Sequence, residues 1–192
     1  MTNYKHLFDD NFGRYTNISK EAYDYLLRVF QVRELKQREF LTEAGSVERY
    51  FYFVISGVQA MYVISNKGEK VVLGFSYDGS PSGVYDSFIH ETPSNYFMEA
   101  LTPSKLIAIN KQHYNELFER FPEFKDWRIN FMETILFGRA KREVEMVTLT
   151  AKERFDAFTA RCPQQLLTIP QKYIASYLNM TPETFSRMRA KM

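Results

Sequence analysis

The chain has a single cysteine, Cys162, among 192 residues. One cysteine excludes a disulfide framework and any C-x-x-C motif within one chain. The three histidines, His6, His90 and His113, lie far apart and make no metal-ligand spacing. There is no apolar run of about 18 residues or more, so no membrane span is expected. The opening residues, MTNYKHLFDDNFGRY, carry acids and no apolar segment, unlike a secretory signal. The expected compartment is the cytoplasm. Nucleophile elbow, phosphate loop, metal cluster and Ser/His/Asp signatures are all missing, so no catalytic role and no cofactor are expected.

Aromatic residues are plentiful. Seventeen Phe and thirteen Tyr suit a β-rich core. The net charge is only +2, but it is unevenly spread. Residues 151–192 carry seven Lys and Arg against three Asp and Glu, a local +4, which leaves −2 for the first 150 residues. A basic C-terminal end fits a phosphate-facing surface.

The texture changes along the chain. Ser19–Gln31 starts with an N-cap candidate and spaces Ala22, Tyr23, Leu26, Leu27 and Phe30 as a helix does. Short β-branched and aromatic runs follow at Tyr50–Ile55, Gln59–Ser65, Lys70–Tyr77, Tyr96–Ala100 and Lys105–Ile109, separated by Gly, Asn and Pro turns. Strands at this spacing predict a sandwich or jelly roll. Apolar residues on both parities, as in YFYFVI, predict strands covered on both faces. Asn110 caps a predicted helix over Lys111–Arg120. A long helix is predicted from Pro122 to about Thr148. Its residues Ile129, Met132, Leu136, Arg139, Glu143 and Met146 alternate steps of three and four, a heptad seam. Phe124, Phe131 and Ile135 make a second stripe. One stripe is expected to face the β domain and the other, through Ile129, Met132, Ile135 and Leu136, a second copy of the chain. Thr150 caps a further helix, Ala151–Arg161.

The last stretch, Gln171–Met192, fits two short amphipathic helices with a tight turn at Leu178–Thr181. Ile174, Ala175 and Leu178 form one apolar face, and Phe185 and Met188 the other. Asn179 suits a left-handed backbone at the turn. Thr181 is an N-cap, Pro182 a first helical residue and Glu183 a first-turn acid. This is a helix-turn-helix pattern, with an ordinary helical hairpin as the plainer alternative. Glu183, Ser186 and Arg187 share one face of the second helix. Arg bonds guanine O6 and N7 together, and Glu accepts from cytosine N4. These three are the expected base readers, with Lys172, Thr181 and Arg189 at phosphates.

Residues 169–192 resemble the DNA-binding end of the Crp/Fnr family of bacterial transcription regulators. The stretch IPQKYIASYLNMTPETFSRMR is close to the form of Bacteroidetes members. Glu183, Ser186 and Arg187 match the E-x-x-S-R pattern of the Fnr branch. Pro182 stands where the Crp branch usually has an Arg. The order of elements also resembles this family over about residues 15–192. The resemblance implies an α+β fold in three parts. These are a cyclic-nucleotide-binding-like β-roll sensor domain (1–121), a long dimerisation helix (122–149) and a helix-turn-helix DNA-binding domain (150–192). Only Cys162–Ile169 separates the preceding helix from the helix-turn-helix, so a reduced wing is expected. The resemblance further implies a homodimer, a palindromic DNA site with TTGA-like half-sites, and RNA polymerase as a partner. Some Fnr-like proteins hold an iron–sulfur cluster through several cysteines; Cys162 alone cannot do so within one chain.

In cyclic-AMP-binding members the cassette reads G-E-L followed by R-[ST]-A, with Glu on the ribose and Arg on the cyclic phosphate. Aligned without gaps, Gly83 falls on the cassette glycine, Val84 on the Glu, Ser94 on the Arg and Asn95 on the Ser/Thr. Both charged anchors are missing. Hydrogen bonds to charged groups contribute about 1.5–3 kcal/mol each. Losing the Arg alone then weakens binding about 10- to 150-fold. Cyclic AMP is therefore not the expected effector. Ser82, Gly83, Val84, Tyr85, Ser87, His90, Ser94 and Asn95 are the expected lining of a pocket for an unnamed, less charged small molecule. The resulting reading is a sequence-specific DNA-binding regulator. The alternative is a small-molecule sensor module without DNA function.

Overall fold

The structure is a computed structural model that describes residues 17–162 and 164–190. Residues 1–16 and Lys191, which enter the expected sensor domain and the basic end, lie outside the described residues.

The first helix, α1 (Lys20–Val29), begins where Ser19 accepts from the Ala22 N–H at 3.2 Å. Its buried face is Ala22, Tyr25 and Leu26. Leu27, expected on that face, is exposed. It sits one step past Leu26, about 100° around the helix. Eight strands follow: β1 (Gln31–Leu35), β2 (Phe40–Thr42), β3 (Tyr50–Ser56), β4 (Gln59–Ile64), β5 (Lys70–Ser76), β6 (Pro81–Ser82), β7 (Phe97–Ala100) and β8 (Ser104–Asn110). A short helix, α2 (Tyr85–His90), stands between β6 and β7. They form two four-stranded antiparallel sheets, ordered β1-β8-β3-β6 and β2-β7-β4-β5. This is the expected β-roll. β3 is buried at four consecutive positions, Phe51 to Val54, so both of its faces are covered. The β3–β4 turn requires Gly57. Its φ is 102°, and a Cβ there would lie 2.6 Å from the Pro103 carbonyl.

Asn110 caps α3 (Lys111–Arg120) by accepting from the His113 N–H at 2.9 Å. The long helix α4 runs Glu123–Thr148. Phe124, Trp127 and Phe131, at steps of three and four, bury its near face in one cluster with β3, α1 and α3. The opposite face is exposed at Ile129, Leu136 and Val147, flanked by Phe137 and Val144. Two details of the expected seam are corrected. Met132, Ile135 and Arg139 line the side of α4 toward a cavity shared with the β-roll, although Ile135 stays exposed. Val147, not Met146, continues the exposed stripe.

Thr150 starts α5 (Ala151–Arg161) with a complete capping box to Glu153. A short helix, α6 (Gln165–Thr168), leads to α7 (Gln171–Tyr177) and α8 (Pro182–Arg189). Phe155, Phe158, Ile174, Ala175, Leu178 and Phe185 make the small core of this end. That core is continuous with Val58, Ala60, Tyr62 and Val72 of the β-roll. Among the described residues no helix is long and apolar enough to cross a membrane.

Candidate DNA-binding surface and effector cavity

The α7–α8 pair has the geometry of a helix-turn-helix. Asn179 occupies the left-handed region at φ 51°, and the Met180 N–H returns to the Ala175 carbonyl at 3.0 Å. Ala175 is 1% exposed, so the small side chain lies at the helix crossing. Thr181 accepts from the Thr184 N–H at 3.2 Å and Pro182 takes the first helical turn, where its missing N–H costs nothing. Phe185 is fully buried and stacks edge-on against Phe155, with ring centroids 5.3 Å apart.

The faces divide cleanly. With Phe185 inward, Glu183, Ser186 and Arg187 all point to solvent. The Arg187 guanidinium leans on the Thr184 hydroxyl at 3.3 Å. Backbone hydrogen bonds at the helix start hold the Glu183 carboxyl below the ordinary glutamate range. Lys172 and Thr181 are exposed, and Arg189 is half-buried. The structure thus brings the six expected DNA-contacting residues to one end of the molecule.

Arg154 is held differently from Lys172, Arg187 and Arg189. It donates to three carbonyls, of Leu178 at 2.8 Å, Leu149 at 2.6 Å and Asn179 at 3.2 Å. It therefore fixes the turn to α5 and is not a free cation for phosphate. Composition cannot reveal that, because the partners are backbone atoms brought close only by folding.

The helix-turn-helix docks on the β-roll. The Ser176 hydroxyl accepts from the Val72 N–H at 3.0 Å and donates to the Lys70 carbonyl at 2.8 Å. β5 is an edge strand, and Ser176 satisfies groups that the sheet leaves open. Beside it Glu99, 5% exposed, accepts from Lys70 and from the Tyr173 hydroxyl. Glu99 and Tyr62 hydrogen bonding outweighs desolvation and raises the Lys70 ammonium above its ordinary range.

A cavity of about 1020 Å³ opens between the β-roll and α4. Of the eight residues expected to line an effector pocket, only Ser82, Gly83 and Tyr85 do so. The other five are corrected. Val84 is buried in the core at the start of α2. Ser87 holds the Glu48 N–H and donates to the Thr92 carbonyl, and Ser94 closes its own turn on Tyr96. His90 and Asn95 are exposed to solvent away from the cavity. Gly83 has φ 97°, and a Cβ there would meet the Tyr52 ring at 3.0 Å. The cassette glycine is thus required by packing as well as by backbone. Sequence reasoning missed Glu48, a buried acid whose carboxyl accepts from the Arg49 and Tyr50 N–H groups and from Thr42. Burial pushes its pKa up. Nothing in its local sequence marks it as buried.

Residues 32–121 match the family described as Cyclic nucleotide-binding domain. The match covers the β-roll and α3. An "Anaerobic regulatory protein" of Pasteurella multocida is 24% identical over 91% of this chain and 68% of its own length. A "Fumarate and nitrate reduction regulatory protein" of Escherichia coli K12 is 25% identical over 81% of this chain and 66% of its own length. The chain therefore spans about two thirds of the length of such relatives. Over most of its length the chain is thus similar to regulators of the Fnr type. Its fold agrees with that of FixK2 from Bradyrhizobium japonicum, at a TM-score of 0.74 and 16% identity over 85% of this chain and 84% of that one. The sheet-to-helix cavity and the exposed α8 face are the two places where chemistry converges.

Proposed function

We propose that this Crp/Fnr-type chain is a DNA-binding transcription regulator that works as a homodimer and answers to a small molecule other than cyclic AMP. The carrying observation is the division of α8. Phe185 seals one side, while Glu183, Ser186 and Arg187 form an exposed face of donors and acceptors suited to base edges. Lys172, Thr181 and Arg189 flank that face as phosphate contacts. The exposed apolar stripe through Ile129, Leu136 and Val147 supports pairing of two copies along α4. Two-fold pairing gives a palindromic site with half-sites about 34 Å apart. By likeness to the Fnr branch, the half-sites are related to TTGA. RNA polymerase is the further partner such a regulator implies.

The effector assignment rests on charge. Val84 is buried and Ser94 is spent on its own turn, so neither can replace an acid on a ribose or a cation on a phosphate. Selection from random DNA with the full chain, in cell extract to supply an effector, tests the function. Enrichment of a palindrome supports it. Enrichment of no motif counts against DNA recognition and favours a sensor module alone.

A further inference from the structure

We propose that a second, smaller cavity, where α4, α5 and α7 meet, binds a tetrahedral oxyanion of the phosphate or sulfate class. Its volume is about 250 Å³. That lies below the usual range for drug-sized ligands and suits a small ion with a few waters. Lys141 and Arg142 line it from α4, Arg161 from the end of α5 and Tyr177 from the end of α7. No acid stands among its described lining residues. Only Phe75 and Tyr77 also line the larger cavity, whose charged residues are Asp78, Asp86 and Arg139.

Arg142 carries the assignment. Its Nη2 donates to the Tyr177 carbonyl at 2.9 Å, and its guanidinium lies 4.5 Å from the centre of the Tyr177 ring. These contacts fix the side chain. Its Nε is nevertheless buried and has no hydrogen-bond partner among the described residues. An unpaired buried donor on a charged group is costly, and native structures rarely leave one without a ligand or a water. The local charge points the same way. Arg161 donates to Glu145 Oε2 at 2.8 Å, and Lys141 and Arg142 also help to hold the Glu145 carboxyl below its ordinary range. Three cations around one acid leave a local +2. Gly138, one turn before Arg142, leaves the α4 wall open, since a Cβ there meets nothing within 4 Å. An anion bound here ties α4 to the helix-turn-helix through Arg142 and Tyr177. The proposal stands apart from the DNA-binding and effector readings.

The full chain is titrated with inorganic phosphate, and separately with sulfate, by calorimetry at ionic strength fixed with sodium chloride. Saturable binding of one ion per chain is expected, together with a rise in melting temperature, because an ion that binds the folded state stabilises it. Lys141→Ala removes an exposed cation, and Arg142→Lys keeps the charge but removes Nε. Each should weaken binding about tenfold. Gly138→Leu fills the opening with a better helix former and should abolish binding. Lys105→Ala, on β8 and outside the cavity, should bind as wild type. All variants are first checked for wild-type circular dichroism, and any one folded cavity variant suffices. Adenosine 5′-monophosphate should bind no more tightly than the free ion. The proposal is overturned by absent or non-saturable binding, by wild-type affinity in a folded variant of Lys141, Arg142 or Gly138, by an equal loss in Lys105→Ala, or by tighter binding of the nucleotide.

Discussion

The hydroxyl of Tyr173 donates to the carboxylate of Glu99 at 3.2 Å, although the two residues are 74 positions apart. One belongs to the first helix of the helix-turn-helix and the other to the central part of the β-roll. Lys70 completes the cluster from β5. With Ser176 of α7 bonded to the same strand, this contact makes the helix-turn-helix and the β-roll one packed unit.

Tyr173→Phe removes that hydrogen bond and leaves Glu99 with Lys70 and Tyr62. Hydrogen bonds to charged groups contribute about 1.5–3 kcal/mol, and the retained Lys70 partner places the expected loss near the low end. Chemical denaturation should show that loss, and limited proteolysis should show faster cleavage near Cys162–Ile169. Unchanged stability and cleavage would mean that the docked arrangement is not maintained in solution.

Leu136→Glu places a carboxylate in the middle of the exposed stripe of α4. Wild type should sediment at twice the chain mass at micromolar concentration. The variant should shift to monomer, because a buried unpaired carboxylate is costly. A wild-type monomer would remove both the dimer and the paired-helix arrangement of the DNA readers.

Thr181→Ala removes the N-cap of α8. The expected cost is about 1 kcal/mol of stability. A folded variant should also bind DNA more weakly, since the start of the reading helix frays. Thr181→Ser, which keeps the hydroxyl, should restore most of both.

Glu145 bridges α4 to α5 through Arg161, which donates to Oε2 at 2.8 Å. The Arg161 hydrogen bond holds the Glu145 carboxyl below its ordinary range. A carboxyl whose folded pKa lies below its unfolded one contributes stability above the unfolded value. That stability is lost as pH falls through the folded value. Arg161 is 40% exposed, so solvent screening limits the contribution to about 0.2–1 kcal/mol. Glu145→Gln should therefore be less stable than wild type at neutral pH. The gap should close below the ordinary glutamate range, as read by thermal melts across pH.

The helix-turn-helix was legible because its signals are local. The Thr181-Pro182 start, Asn179 at the turn and the Ile174/Leu178 and Phe185/Met188 spacings all lie within about twenty residues. The strands β3, β4, β5, β7 and β8 were legible from β-branched and aromatic runs between turns. β1 was not, because QVREL exposes four of its five residues and takes its place only by pairing with β8. β6 is two residues long and starts with proline. The cavity was least legible. Its walls come from β3, β5, α2 and α4, and only tertiary packing brings Phe51, Phe75 and Trp127 together. A gapless alignment to one cassette pointed to Val84, which is buried in the core, and to Ser94, which closes its own turn. On α4, steps of three or four fit two neighbouring stripes equally; Leu136 and Val147 are exposed, whereas Met132 and Arg139 line the cavity.

The most direct test of the central claim is the base discrimination of the Arg187→Ala variant on the selected palindrome and on half-sites altered one base pair at a time. Wild type should lose about 1–3 kcal/mol of binding at the guanine that Arg187 reads, and the variant should bind both versions equally. Lys172→Ala should instead weaken all sequences alike and flatten the salt dependence. If Arg187→Ala kept the full wild-type discrimination at every position, α8 would not be the reader and the account would be wrong.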